Sequence, residues 1–154
     1  MSLLELKGVH THVGAYHLLH GVDLQVPAGQ VTMLLGRNGA GKTSTLRTLI
    51  GLWTASAGTV SFQGENITQL ATPEIASRGI AYVPETMGIF GALTVAENLL
   101  LAARSAKRLA DLDAKRLDWL FGLFPALKTF WQHPAGKLSG GQKQMVAIAR
   151  ALIE

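Results

Sequence analysis

The eight residues Gly36-Arg37-Asn38-Gly39-Ala40-Gly41-Lys42-Thr43 restrict the fold of this chain more than any others. They fit the pattern G-x-x-x-x-G-K-[ST] and follow the apolar run Val31-Thr32-Met33-Leu34-Leu35-Gly36. Leu46, Leu49 and Ile50 come next at helical spacing. A strand buried on both faces, a glycine turn and a helix from about Lys42 form the order that a polyphosphate cradle needs. Glycines at 36, 39 and 41 let the backbone turn its N–H groups inward. The helix N-terminus adds its partial positive charge. In such a cradle Lys42 reaches the β- and γ-phosphates, the Thr43 hydroxyl ligates Mg²⁺, and Ser44 reaches the α-phosphate. At a glycine usage of about 7%, the pattern arises by accident on the order of once in 10⁴–10⁵ starting positions.

Taken alone, the loop points to a P-loop NTPase and leaves ATP versus GTP open. The surrounding pattern is α/β. Val22, Leu24 and Val26 alternate with Asp23 and Gln25, as in a half-buried strand, and Pro27-Ala28-Gly29 turns the chain. Residues 58–64 read as a strand between glycines, and 80–85 as a further buried strand stopped by Pro84. No strand pattern follows between about 88 and 135. Thr94-Val95-Ala96-Glu97 has capping-box spacing and predicts a helix to about Arg104. Leu117, Leu120, Phe121 and Phe124 predict a second helix over about 109–124. The expected organisation is an N-terminal part of a phosphate-binding core over 1–87, a helical insertion over 88–137, and a final motif and helix over 138–154.

Composition sets bounds. The 154 residues suit one domain, and 48% hydrophobic with 16% charged residues is a globular balance. No apolar run of about 18 residues is present, so no bilayer span is expected. The N-terminal residues have none of the marks of a secretory leader. Cysteine is absent, which excludes disulfides and thiolate metal sites and suits the cytosol. The net charge is +4, with Arg104, Lys107, Arg108, Lys115 and Arg116 close together. No aromatic residues interleave with them as base-stacking platforms, so they read as a solvated helix surface and no nucleic-acid partner is expected.

Ser139-Gly140-Gly141-Gln142 is a second capping box, at the start of a helix through Met145, Ile148, Ala149 and Leu152. Capping does not call for two glycines in a first turn, where each costs up to ~1 kcal/mol against alanine. Bare backbone at a helix start suits the close approach of an anion.

With Leu138-Ser139-Gly140-Gly141-Gln142 about a hundred residues after the phosphate loop, the whole chain resembles the nucleotide-binding subunit of an ABC transporter. The resemblance implies a P-loop NTPase core of ABC ATPase type with an antiparallel β edge, ATP and Mg²⁺ as cofactors, and a second ATPase subunit, identical or different, paired head to tail. It places Gly36, Arg37, Asn38, Gly39, Ala40, Gly41, Lys42, Thr43 and Ser44 on ATP in the same subunit. Ser139, Gly140, Gly141 and Gln142 then act in trans, on the γ-phosphate held by the partner. In that family a buried strand ending in Asp-Glu follows the signature helix, the Glu orients the attacking water, and a switch histidine comes later. Both are expected beyond Glu154, so no catalytic residue is assigned here. His133 and the other four histidines precede the signature. A chain ending at Glu154 is expected to be inactive alone, and its phosphate-loop strand to lack a neighbour.

Two positions depart from the family's pattern. Val13 stands where an aromatic side chain stacks on adenine, and Tyr16 is the nearest replacement. Glu85 stands where Gln is usual, and is assigned to Mg²⁺ or its water together with Thr43. Val83-Pro84-Glu85 and residues 90–99, together with 18–52, are similar to the ATPases of branched-chain amino-acid uptake systems, to which subunits serving urea or other amides are related. The usual arginines after Glu85 are Met87 and Gly88 here. The implied partners are integral-membrane permease subunits, and the implied location is the cytoplasmic face of the cell membrane. Two other readings stay open: a soluble ABC ATPase acting on nucleic acid or ribosomes, and an ATP-binding module without turnover.

Overall fold

The computed structural model describes residues 2–154, which fall into two compact units, one ending at Ile80 and the other Ala81–Glu154. The first is a four-stranded antiparallel sheet with helices. Its strands are β1 (Ser2–Val13), β2 (Tyr16–Pro27), β3 (Ala55–Phe62) and β4 (Glu65–Asn66), in the order β2-β1-β3-β4. Gly14 at φ +58° closes the first hairpin, and Gln63-Gly64, at φ +51° and +84°, closes the short one, as the twist of paired strands favours. The alternation at Val22, Leu24 and Val26 lies inside β2, as the pattern predicts.

The β1 ladder is irregular in a way that matters. A register shift between Leu6 and Val9 resets the alternation, so that Leu6, Val9 and Thr11 are all buried. A second shift pairs Thr11 with Leu19 but His12 with His17, leaving Leu18 as an extra residue in β2. Helix α1 (Lys42–Leu49) lies against this buried face: Thr48 Oγ1 and Thr11 Oγ1 are 2.9 Å apart in a buried hydrogen bond. Val60, Ile67 and Ile75 complete the core, the last from α2 (Thr72–Ser77).

The two parallel strands expected at 31–36 and 80–85 are not formed. Residues 31–37 carry no element, and Val31, Met33 and Leu35 are 91%, 72% and 78% exposed. Residues 80–84 carry none either. An apolar run becomes a parallel strand only beside hydrogen-bonded neighbours with both faces covered. Among the described residues no strand pairs with either segment.

The second unit is helical: α3 (Val95–Ala102), α4 (Ala114–Leu123), α5 (Pro125–Thr129) and α6 (Gly140–Leu152). Val95 and Leu99 of α3, Leu120 of α4, Leu127 of α5, and Val146 and Ala149 of α6 form one buried cluster. The helix expected over 109–124 is split. A single 3-10 turn covers Leu109–Asp111, and α4 starts only after Asp113, whose side chain accepts from Arg116 N at 2.7 Å. Asp111 caps the turn before it, accepting from Arg108 N at 3.0 Å. Two aspartates bonding the local backbone interrupt one apolar period. No helix among the described residues is long and apolar enough to cross a membrane.

Candidate functional site

The residues 36–44 form one tight turn into α1. Gly39 and Gly41 sit at φ +83° and +94°, and Gly41 is the left-handed N-cap of the helix. A side chain at either would strain the backbone. Gly36 is short of space instead, since a Cβ there would lie 3.2 Å from the Ala40 methyl. Lys42 folds back over the loop, its Nζ donating to Gly36 O at 2.7 Å and Arg37 O at 2.8 Å. These are bonds to neutral carbonyls on an exposed loop, and an anionic phosphate is the stronger partner for the same ammonium. Thr45 is turned away: its hydroxyl donates to Gly41 O at 2.8 Å. Thr43 is exposed at the start of α1, beside half-buried Ser44. The backbone N–H groups of Lys42, Thr43 and Ser44 are the unpaired donors of a first helical turn, and no acidic side chain stands in that turn. The loop therefore fits a polyphosphate.

Val13 and Tyr16 are brought together as the cross-strand pair that closes the first hairpin, 37% and 75% exposed. Among the described residues nothing covers the Tyr16 ring.

In the second unit, Ser139 is the N-cap of α6. Ser139 N donates to Gln142 Oε1 at 2.9 Å, and Gln142 N donates to Ser139 Oγ at 3.3 Å. The capping box is formed as its spacing predicts. The two glycines between are not explained by it. Neither takes positive φ, and a Cβ added to Gly140 or Gly141 would meet nothing within 4 Å. Both are exposed, and the first turn of α6 has no acidic side chain. By contrast α3 uses Glu97 in the same capping role, bonded to Thr94 N at 2.8 Å. That bonding to Thr94 holds the Glu97 carboxyl below its usual range. Gln142 makes the same reciprocal cap without the charge.

Glu85 is exposed in the turn that Met87 N closes on Pro84 O at 2.8 Å. Met87 and Gly88 both take positive φ, +64° and +63°. Two residues not foreseen as site residues hold this loop. Asn98 of α3, fully buried, accepts from Phe90 N at 2.9 Å and donates to Phe90 O at 3.0 Å and Thr94 O at 2.9 Å. Arg150 of α6 donates to Gly88 O and lies over the Phe90 ring at 5.2 Å. Its Nε is buried without a partner, and burial lowers the guanidinium pKa. The loop is also fixed at its far end, where Ala135 N donates to Leu93 O at 2.8 Å and Gly136 N to Gly91 O at 2.9 Å. A Cβ on Gly136 would lie 2.9 Å from Gly91 O, so that approach needs glycine. The available signal was a polar residue set in an apolar stretch of each helix, Asn98 beyond the capping Glu97 in VAENLLLA and Arg150 in VAIARAL.

Residues 19–154 match the family model described as ABC transporter. The chain is 38% identical over 151 residues to the high-affinity branched-chain amino acid transport ATP-binding protein BraG of Pseudomonas aeruginosa, covering 98% of this chain and 64% of that protein. It is 39% identical over 137 residues to the probable branched-chain amino acid transport ATP-binding protein LivF of Archaeoglobus fulgidus, covering 89% of this chain and 57% of the relative. A Fe(3+) ions import ATP-binding protein, FbpC of Serratia marcescens, matches at 37%, over 99% of this chain and 44% of its own length. The chain therefore spans less than two thirds of the curated relatives it matches. A solved structure of an ATP-binding subunit of an ABC transporter superposes with a TM-score of 0.81 at 33% identity, over 99% of this chain and 62% of that one.

Proposed function

The chain belongs to the ABC transporter family, and from that premise we propose that it is the ATP-binding part of an importer subunit, serving a branched-chain amino acid or a related small polar solute. Its phosphate loop, residues 36–44, takes the β- and γ-phosphates of ATP-Mg²⁺, with Lys42 as the point charge and Thr43 as the Mg²⁺ residue. Ser139, Gly140, Gly141 and Gln142 take the γ-phosphate of ATP bound to a second subunit. Bound ATP supplies the charge that joins the two, and its hydrolysis lets them part. Permease subunits on the membrane are the partners through which this drives uptake. The amino-acid assignment draws on the two branched-chain relatives, and the iron importer marks how wide the family's substrates run.

The carrying observation is the pair of glycines at the start of α6. Nothing within the chain's own packing or backbone geometry asks for them. A close external anion does. Within the same unit, Arg150 near the other end of α6 grips the loop that starts at Glu85. A shift of the signature helix would thus pull on that loop.

The test mixes two defective forms of the protein. Lys42→Ala empties its own phosphate loop. Gly141→Asp puts a carboxylate against the partner's γ-phosphate, in a water-poor interface where like charges repel strongly. Each alone should fail to dimerise with ATP. Mixed, they make one site with both defects and one with neither, and ATP-dependent dimerisation should return at reduced strength. No recovery, together with a lowered melting temperature of nucleotide-free Gly141→Asp, would leave α6 capping as the whole role of the motif.

A further inference from the structure

Four of the five histidines meet on one face of the β1–β2 hairpin, outside the phosphate loop and the signature. His10 pairs across the ladder with His20, and His12 with His17. Three register shifts bring this about: the one after Leu6, one after Val9 that leaves Gly21 as an extra residue of β2 and so sets His10 opposite His20, and the one after Thr11. Val9, Thr11 and Leu19 point into the core, so by alternation His10, His12 and His20 lie on the opposite face, and the extra residue Leu18 returns His17 to it. The His17 ring is the centre of the group, 4.0 Å from the His12 centroid, 3.8 Å from His20 and 5.2 Å from His10.

One contact is of a different kind. His10 Nδ1 and His17 Nε2 stand 3.0 Å apart at hydrogen-bond distance, and the tautomer decides which of them donates. Two nitrogens on one metal at about 2.0–2.1 Å are about 2.9 Å apart in square-planar geometry and about 3.3 Å apart in tetrahedral geometry. The pair lies between these values. The His10 seat is tight, since a Cβ on Gly21 would come within 3.3 Å of His10 Nε2. His12 is steadied by Ser56, with Nδ1 at 2.8 Å from Oγ. The nearby acids are engaged elsewhere: Asp23 accepts from Gly8 N at 2.7 Å, and Glu5 pairs with Lys7 at 2.9 Å and accepts from Gln25 at 2.8 Å.

We propose that His10 and His17 chelate a transition-metal ion that staples β1 to β2, with His12 and His20 beside them as further nitrogen donors. Among the described residues no three His, Cys, Asp or Glu side chains already surround a common ion position. The site is therefore a two-nitrogen chelate with open positions, and the His12 and His20 ring centroids stand 4.0 Å and 3.8 Å from that of His17. An all-imidazole donor set selects copper, nickel and zinc over magnesium and calcium, with copper(II) the tightest of the divalent ions. The site is thus distinct from the Mg²⁺ of the phosphate loop and does not depend on how that loop functions.

Metal-stripped protein is titrated with Cu²⁺, Ni²⁺ and Zn²⁺ against a chromophoric chelator, with Mg²⁺ as control. One ion should bind per chain, in the order copper first, with no competition from Mg²⁺. His10→Asn and His17→Asn should each weaken binding at least about tenfold, His12→Asn and His20→Asn less, and His133→Asn not at all. Electron paramagnetic resonance of the copper-loaded, unaltered chain should show superhyperfine splitting from at least two imidazole nitrogens. That spectrum is decisive even where a variant fails to fold. A spectrum without nitrogen coupling, or equal affinity in the His10 and His17 variants and the His133 variant, overturns the proposal.

Discussion

Gly39 and Gly41 of the phosphate loop sit at φ +83° and +94°, while Gly140 and Gly141 of the signature take no positive φ and have open space where a Cβ would be. Both pairs stand at the start of a helix whose first turn holds no acidic side chain. The first pair is explained within the chain: only glycine makes that turn without strain. The second is not, because alanine would fit the backbone and improve the helix. A glycine that its own fold does not need points to something outside the fold. This separates a loop that shapes its own ligand site from a helix start left bare for a ligand held elsewhere.

The largest expected effect tests the self-shaped site. Lys42→Ala should weaken ATP-Mg²⁺ binding by roughly 10²-fold, the loss of charge-assisted hydrogen bonds of about 1.5–3 kcal/mol each. Calorimetric titration of both forms reads it directly. Equal affinity would mean that the bonds from Lys42 to Gly36 O and Arg37 O are its whole role.

Substituting alanine sharpens the contrast. Gly39→Ala forces a side chain into the left-handed region, costing about 1–2 kcal/mol of stability. Gly141→Ala should do the opposite and raise stability by up to about 1 kcal/mol through helix propensity. Denaturant melts without nucleotide decide it. A Gly141→Ala chain less stable than its parent would show an internal demand on that glycine.

The motifs were legible because local rules generate them. The capping boxes at Thr94 and Ser139 formed as spaced, since each closes within four residues. The start of α1 at Lys42 followed from the glycine turn before it. The buried strand at 31–36 was not realised, because a parallel strand depends on neighbours that its own residues do not specify, and Val31 is left 91% exposed. The histidine group was equally hidden. His17 and His20 are three apart, which places them on opposite faces of a regular strand, and only the bulge at Leu18 unites them. Asn98 and Arg150 were visible as polar residues in apolar helices, but their bonds to Phe90 and Gly88 are tertiary.

A smaller change isolates charge from capping. Gln142→Glu keeps the reciprocal cap, as Glu97 does in α3, and adds a negative charge to the first turn of α6. A carboxylate there should stabilise the helix by about 0.3–1 kcal/mol. It should also repel a partner's phosphate. The expected outcome is an unchanged or higher melting temperature without nucleotide and weaker ATP-dependent dimerisation by analytical ultracentrifugation. Unimpaired dimerisation would remove the trans role from this turn.

The smallest effect separates the two halves by pH. The His17 pKa is lowered from its ordinary value, first by burial and then by the neighbouring His12, His20 and His10. The charged groups nearby on these strands are Glu5 and Lys7, which pair, and Asp23, bonded to Gly8 N; β3 offers only Ser56. A histidine with a lowered folded pKa takes its proton more readily when unfolded. Above the ordinary histidine pKa of about 6.5 both states are neutral and nothing is lost. As pH falls below that value, the unfolded chain gains protons that the folded hairpin resists, and stability declines until the folded pKa is passed. The loss should appear in β1 and β2 of metal-free protein and be absent from α6, whose unit holds only His133. Hydrogen exchange at pH 7.5 and 5.5, corrected for the intrinsic rate, should show faster opening of 2–27 relative to 140–152. His17→Asn should flatten that difference. Equal acid sensitivity in both segments would show that the histidine stack places no local limit on the hairpin.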